Sequence, residues 1–382
     1  MQKRSWLAIG IGIVIVGFIG VLYKGVLYQK SVELNQLEQR QQLAENQLID
    51  VNKKLEQVST QYQILQNSNP IQLTKQFKDS IGTYEKIVDL QKSGAKTQPL
   101  EVLWAEVMAD IANNNTSSAS ADLNKLQTAV SQTETALVST PPPTQLPVSN
   151  SPPGSGFSQQ VVTIDSGSFV VSIVSADLKT SKLIVDTASE HDCGNNCPVN
   201  SLDFYARRSG AFAGVNGPYF CPDTYPTCAD KKNSFDTLLM NKNKVYFNSD
   251  NNVYSTNPVA IFSTSSRFEE KGQAWGRDTS VDSVIMGRPL LVFNNSVWFN
   301  GNSDSKETSK GNRAFVGATD GTVYIGIVHS ATVAQVAQVL AKLGIRNAIN
   351  LDSGGSAAMW VNGKYIIGPG RNLPFGVLLV KR

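Results

Sequence analysis

Histidine is almost absent from this 382-residue chain: His191 and His329 are the only two. A histidine-rich metal centre has little to build from, and a Ser-His-Asp triad would have to use one of that pair. Cysteine is scarce as well. Its four residues all lie between positions 193 and 228, and the first half of the chain has none. Nor is there a large excess of one charge. With 34 basic and 31 acidic residues the formal net charge is +3, which gives no case for a nucleic-acid partner. Acidic residues run out towards the C-terminus, where Asp352 is the only one after Asp320. What remains is 41% hydrophobic, enough for a substantial core, in a chain long enough for two or three domains.

The longest uncharged apolar run is Trp6 to Tyr23, 18 residues that can just span a bilayer. Lys3 and Arg4 precede it and Lys24 and Lys30 follow, a bias that favours a cytoplasmic N-terminus. A cleaved signal peptide is the rival reading, but no small-x-small site follows Gly20. The expectation is a cytoplasmic tip and uncleaved transmembrane anchor over residues 1–24, with a single pass. Either reading puts the rest of the chain outside the cytoplasm, where disulfides persist. Cys193 and Cys197 are four apart, and Cys221 and Cys228 seven apart. Local pairs are favoured, each closing a loop, while the other two connectivities stay open. A zinc site is the alternative, although the spacings differ from the usual CxxC pairs. No cofactor is expected, and a metal requirement is not readable.

Residues 31–67 are polar and free of Pro and Gly. Leu34, Leu37, Ala44, Leu48, Val51, Leu55, Val58, Tyr62 and Leu65 fall at heptad a and d positions, with Gln41 the one polar seam residue. That predicts a coiled coil and a homo-oligomer built through it. A long amphipathic helix packed on its successors is the plainer alternative. Residues 71–139 stay helical in pattern. Leu100, Leu103, Val107 and Ile111 share one face, and Leu123, Leu126, Val130 and Leu137 another, as in a small stalk or bundle. Pro141, Pro142, Pro143, Pro147, Pro152, Pro153 and Gly154 mark a linker over 140–156.

From 157 to 382 the texture becomes strand-rich. Short β runs recur at Val161–Ile164, Phe169–Val174, Lys182–Val185, Ala211–Val215, Lys244–Phe247, Leu290–Phe293, Thr322–Val328, Ala348–Leu351, Ala357–Val361 and Phe375–Val380. One helix interrupts them, capped by Thr332, with an apolar stripe at Val333, Val336, Ala337 and Leu340, and ended by Gly344. The fold class is therefore α+β, a strand-rich domain with few helices behind an N-terminal transmembrane helix, coiled coil and small helical region.

Three short elements of this domain carry candidate chemistry. In Asn350-Leu351-Asp352-Ser353-Gly354-Gly355-Ser356 a buried strand ends at Asp352 and a glycine turn returns the chain towards the Asn362-Gly363 hairpin. The glycines allow a close approach to the backbone, and exposed N–H groups in such a turn can cradle an anion. An Asx-type turn at a strand end is the plainer reading. In Asn216-Gly217-Pro218-Tyr219-Phe220 a strand enters a turn, with Tyr219 and Phe220 as ordinary core residues on spacing alone. Arg313 enters a third strand at Gly311-Asn312-Arg313-Ala314-Phe315-Val316-Gly317, and Arg288 and Arg371 sit in similar Gly/Pro-flanked turns. Three arginines near turns suit a phosphate, if the fold brings them together.

The ordered set resembles the phosphodiester glycosidase family. Asn216 to Phe220 resembles its N-G-G-F-F element, Arg313-Ala314-x-x-Gly317 its R-x-A-x-G strand with one residue fewer, and Asn350 to Ser356 its N-L-D-G-G-G-S signature. Ser353 and Pro218 stand where the family has glycine. The resemblance covers about 157–382 and none of the N-terminal half. It implies hydrolysis at the anomeric carbon of a sugar-1-phosphodiester, and the expected location of the domain suggests a glycosyl-phosphate polymer or glycan, as in a cell wall or exopolysaccharide, as the substrate. Asp352 would be nucleophile or base, and Arg313 with donors from Gly354, Gly355 and Ser356 would hold the phosphate. Asn216 would orient a sugar hydroxyl, and Asn350, Gly217, Arg288 and Arg371 would line the same site. His329 is a candidate donor to the leaving group, against an ordinary strand-end histidine. Asp236 is a second-carboxylate candidate, against a surface residue before a strand. Two other readings remain open from the residues: a non-catalytic cell-surface polysaccharide-binding protein, and a phosphodiesterase that cuts P–O rather than C–O.

Overall fold

The computed structural model describes the backbone of residues 2–67, 70–92, 94–138 and 146–382, and leaves out the side chains of 2–23, 26, 59–67, 70, 135, 137–138 and 305. The chain divides into two compact units, Met1–Leu73 and Thr74–Arg382. The first is dominated by one unbroken helix, α1 (Gln2–Asn67). Its heptad residues Leu34, Leu37, Leu48, Val51, Leu55 and Val58 are all exposed along it. Tyr62 and Leu65 lie outside the described side chains. Among the described residues no helix is long and apolar enough to cross a membrane. The Trp6 to Tyr23 run, expected as the anchor, lies among residues whose side chains are not described.

The second unit begins inside α2 (Pro70–Lys92) and continues through α3 (Gln98–Ala112) and α4 (Thr116–Val138). Of the two apolar stripes read in the sequence, Leu100, Val107 and Ile111 of α3 and Leu123, Leu126 and Val130 of α4 are buried while Leu103 is half-buried, and Ile87, Val88 and Leu90 of α2 are buried as well. Polar contacts brace α2 from behind. Gln76 Nε2 donates to the Thr116 carbonyl at 2.7 Å and to Ser120 Oγ at 2.6 Å. Trp104 Nε1 donates to the Ser80 carbonyl at 3.1 Å, and its ring lies 4.5 Å from that of Tyr84. Pro141 to Pro143 lie outside the described residues. The remainder of the expected linker runs along the edge strand Gly156–Ile164. Val161 N donates to the Pro147 carbonyl at 2.9 Å, and Gln160 Nε2 to the carbonyls of Ser149 and Ser151. Those bonds use edge groups that would otherwise be open for pairing.

Three antiparallel sheets form the strand-rich part. The largest has seven strands in the order Gly156–Ile164, Gly167–Asp177, Thr322–Ala331, Gly311–Thr319, Asn347–Ser353, Leu290–Phe293, Ser296–Val297. The second runs Lys364–Ile367, Met359–Val361, Ala213–Asn216, Phe375–Lys381, Ser181–Thr187. The third runs Tyr246–Phe247, Leu239–Met240, Ser283–Met286, Val259–Phe262, Ser266–Glu269. Three further helices are α5 (Leu202–Arg208), the single-turn α6 (Ser305–Thr308) and α7 (Val333–Lys342). Thr332 and Gln335 close a capping box on α7, whose Val333, Val336, Ala337, Val339 and Leu340 bury against Val171, Val292 and Phe315 of the large sheet. A single larger core joins all three sheets through residues such as Val316, Ile325, Val185, Val215, Leu378, Phe247 and Ile285. The third sheet went largely unread in the sequence, because its strands are two to four residues long and mostly buried, with no alternation to see.

The second sheet fixes the approach to the candidate site. Gly217 follows its strand Ala213–Asn216, and a Cβ there would fall inside the contact distance of the Phe375 ring. Phe375 is 1% exposed and packs on Phe220 and Phe235, so it has nowhere to move. Gly217→Ala is therefore expected to destabilise the fold by about 1–3 kcal/mol, as overpacking does. A denaturant midpoint unchanged from the parent chain would contradict that packing.

Candidate active site

Asp352 sits where the large sheet hands the chain over to the second. Arg313 and Ser353 are paired in register on neighbouring strands, so two of the three sequence elements meet directly. The third is tied in by Asn216. Its side-chain Nδ2 donates to the Asp352 carbonyl at 2.7 Å and to the Gly217 carbonyl at 3.2 Å, and its Oδ1 accepts from Ala358 N at 3.1 Å. Asp352 N in turn donates to the Gly217 carbonyl at 3.1 Å. Asn216 is fully buried with its hydrogen-bonding capacity filled, so it positions Asp352 and has nothing left to offer a sugar.

A cavity of about 780 Å³ opens over Asp352. Burial pushes the Asp352 carboxyl up to about 6, reinforced by the nearby Asp236 charge. Donation from Ser356 and from Ser353 N, the latter at 2.8 Å, and the positive charge of Lys306 pull the other way. Asp236 faces the same cavity, so the second-carboxylate reading gains a place in the geometry over that of a surface residue. Arg288, Lys306 and Arg313 supply positive charge around it. Arg313 is 6% exposed. Its Nε donates to the Ala331 carbonyl and its Nη2 to the carbonyls of Lys306 and Ser309, which aims the guanidinium and leaves Nη1 for the cavity. Tyr219 also lines the cavity. Its hydroxyl accepts from Asn350 Nδ2 at 2.8 Å, and Arg288 lies over its ring. Burial, with the Asp352 charge beside it, raises this phenol above its usual range and keeps it neutral.

Other expected site residues stand further back. Asn350 is fully buried and bonds Tyr219 and the carbonyls of Arg288 and Leu351. Arg371 lies behind the glycine turn, its N–H donating to the Gly355 carbonyl at 2.8 Å. Burial lowers its guanidinium to about 10. His329 is not among the residues that line the cavity; it is held at 2.9 Å by Ser172 Oγ and lowered to about 4 by burial. Ser353, where the resemblance has glycine, adopts an extended φ of −140° that any residue can take, whereas Gly354 needs its φ of +62°. The two disulfides are the local pairs, Cys193–Cys197 and Cys221–Cys228.

Sequence reasoning missed the other wall of the cavity. Glu85, Lys86 and Asp89 of α2 and Glu134 of α4 line it together with Asp352. Glu85 accepts from Thr227 Oγ1 and pairs with Lys306 Nζ at 2.9 Å. Asp89 pairs with Arg371 and accepts from Tyr225 Oη at 2.7 Å. Tyr225 and Thr227 sit in the loop closed by Cys221–Cys228. Glu85 and Asp89 of α2 are spaced four apart, one face of a helix, but nothing in the linear order ties them to a turn more than 260 residues on.

With this geometry in hand, comparison with known proteins gives three results. No curated protein matches the chain. A solved structure of a hypothetical protein from Synechocystis aligns at 12% identity and a TM-score of 0.42, over 59% of this chain and 62% of that one, so the chain spans under two thirds of that protein. The zebrafish N-acetylglucosamine-1-phosphodiester alpha-N-acetylglucosaminidase catalytic domain, auto-inhibited by its pro-peptide, aligns at 18% identity and a TM-score of 0.46, over 62% of this chain and 87% of that one. The family resemblance read from the three sequence elements is met by a family model: residues 209–380 match the phosphodiester glycosidase family.

Proposed function

We propose that the C-terminal domain hydrolyses a sugar-1-phosphodiester by C–O cleavage, with Asp352 as the nucleophile or the base that activates water. The observation that carries this reading is a carboxyl raised to about 6, in a cavity whose lining includes a further carboxylate, Asp236, beside it and the cations Arg288, Lys306 and Arg313. The match of 209–380 to phosphodiester glycosidases supports it. Such a carboxyl is ionised at neutral pH yet poorly solvated, which suits attack or proton abstraction. As the bond from the anomeric carbon to oxygen breaks, its electron pair goes to the phosphate oxygen. The departing phosphate monoester is a good leaving group, so the demand falls on the attacking carboxylate and on cations that hold the phosphate. Arg313 Nη1, Lys306 and Arg288 fill that second role. Asp236 serves as the partner carboxylate, activating water if Asp352 forms a glycosyl ester. Membrane attachment through Trp6 to Tyr23, self-association through the α1 seam and an extracytoplasmic site complete the reading.

Asp352→Asn in the full chain is expected to lower turnover of a reporter glycosyl phosphodiester by about 10³-fold or more while leaving the melting temperature near that of the parent. Retained activity in that variant sinks the assignment. Hydrolysis in oxygen-18 water should place label in the sugar; label in the phosphate would instead mean P–O cleavage.

Because Asp352 must be ionised, kcat/KM should fall as pH drops through about 6. The Asp236 charge raises the Asp352 pKa, so Asp236→Asn lowers it and moves the acid limb to lower pH. An acid limb that stays put, or moves up, separates the two carboxylates. For the anchor, the full chain should remain with membranes after an alkaline carbonate wash, and release by that wash counts against it.

A further inference from the structure

We propose that α2 is a fixed wall of the substrate site, with Glu85 and Asp89 as positioning residues, so that part of the substrate specificity resides outside the 209–380 region. This rests on the hydrolase reading above and adds a second part of the chain to that site.

Three observations carry it. First, the contacts are built. The Glu85 side chain is 3% exposed and holds Lys306 and Thr227, and the Asp89 side chain is 17% exposed and holds Arg371 and Tyr225. Tyr225 is flanked by both cations, with Arg371 at 4.9 Å and Lys306 at 5.4 Å from its ring centre. Lifting α2 would strip both carboxylates of their partners at once and leave the Arg371 side chain, 7% exposed, without its carboxylate, which is unfavourable. Second, the turn after Asp352 is shaped to the helix. A Cβ on Gly354 would lie 2.6 Å from Asp89 Oδ2, and one on Gly355 would lie 3.0 Å from Asp89 Oδ1 and 3.1 Å from its Cα. Third, the cavity persists with α2 in place. Its volume of about 780 Å³ lies within the range of small-molecule sites, so there is room for a ligand beside the helix. That favours a wall over a plug.

Lys86 of α2 and Glu134 of α4 complete this face. Each senses the other's charge and that of Arg313, and burial lowers the lysine and raises the glutamate from their usual ranges. The wall therefore presents ionic groups beside the arginine assigned to the phosphate. The alcohol portion of the phosphodiester is the part of the substrate that projects beyond that phosphate, so its structure is what the wall reads.

The test uses the full chain and two reporter phosphodiesters with the same sugar but different alcohols on the phosphate. Asp89→Asn and Glu85→Gln should each raise KM by about tenfold with kcat changed less than about threefold. Lys86→Ala should alter the kcat/KM ratio between the two reporters by about tenfold, a change that general loss of fold would not produce. Higher turnover in Asp89→Asn would show that the helix blocks the site and overturn the proposal. Unchanged kinetics in the carboxylate variants, or equal losses on both reporters in Lys86→Ala, would overturn it too. If the parent chain hydrolyses neither reporter, the hydrolase reading fails separately. The wall is then read by calorimetry with the two unhydrolysed reporters: weaker binding in Asp89→Asn supports it, and absent, equal or tighter binding overturns it.

Discussion

Everything in the site hangs on one buried amide. Asn216 joins the end of the Ala213–Asn216 strand to the end of Asn347–Ser353 and to the start of Met359–Val361, using both its Nδ2 hydrogens and its Oδ1. Those strands belong to two different sheets. At such a junction the regular ladder stops, and backbone groups there need other partners or they are left unsatisfied in the interior. Asn216 supplies those partners, and the Gly217 carbonyl completes the exchange by accepting from Asp352 N. The backbone under the carboxylate is thus held on both sides. Aspartate at this position would turn two donors into acceptors facing carbonyls, and a shorter side chain would take the Asn216 partner from the Asp352 carbonyl and Ala358 N.

Given that rigid placement, the electrostatics follow from what surrounds the cavity. Asp352 is raised chiefly because water is excluded, with the Asp236 charge raising it and the Lys306 charge lowering it. Lys306 would lower it further were its own charge not shared with Glu85. Arg371 is likewise answered by Asp89 before its charge reaches the cavity. The carboxylates of α2 therefore do more than bind a helix. They pair with Lys306 and Arg371, the two cations on that side of the turn.

The candidate catalytic elements were legible in the sequence because they are local: a strand, an acid and a glycine turn in one stretch, and two other short elements in a recognisable order. Their convergence is a simple register relation between adjacent strands, Arg313 opposite Ser353. The role of Asn216 was not legible, since a buried cross-link and a ligand contact look alike in a string of residues. His329 misled for the same reason: the end of a strand says nothing about which way a ring faces, and here it faces Ser172. The helical region was read correctly as helices with apolar stripes at Leu100, Val107 and Leu126, yet its polar face was the informative one. A solvated face and a face docked on another domain have the same composition, and long-range pairings such as that of Glu85 with Lys306, 221 positions away, distinguish them.

The glycine turn after Asp352 shows how two demands meet in one motif. Glycines beside a carboxylate suggest an open cradle, where backbone N–H groups wait for an anion. Here an anion is already near, the Asp89 carboxylate, and a side chain on Gly354 or Gly355 would collide with it or with Arg371. Gly354 has a second reason to be glycine in its positive φ, which Gly355 lacks. Gly355 is thus constrained by packing against α2 and Arg371 and not by backbone conformation. Ser353, extended and bonded back to Leu351, escapes both constraints, which is why this chain tolerates a side chain at that one point of the motif. The turn is shaped from outside by the helix that closes over it, and from inside by the strand that presents Asp352.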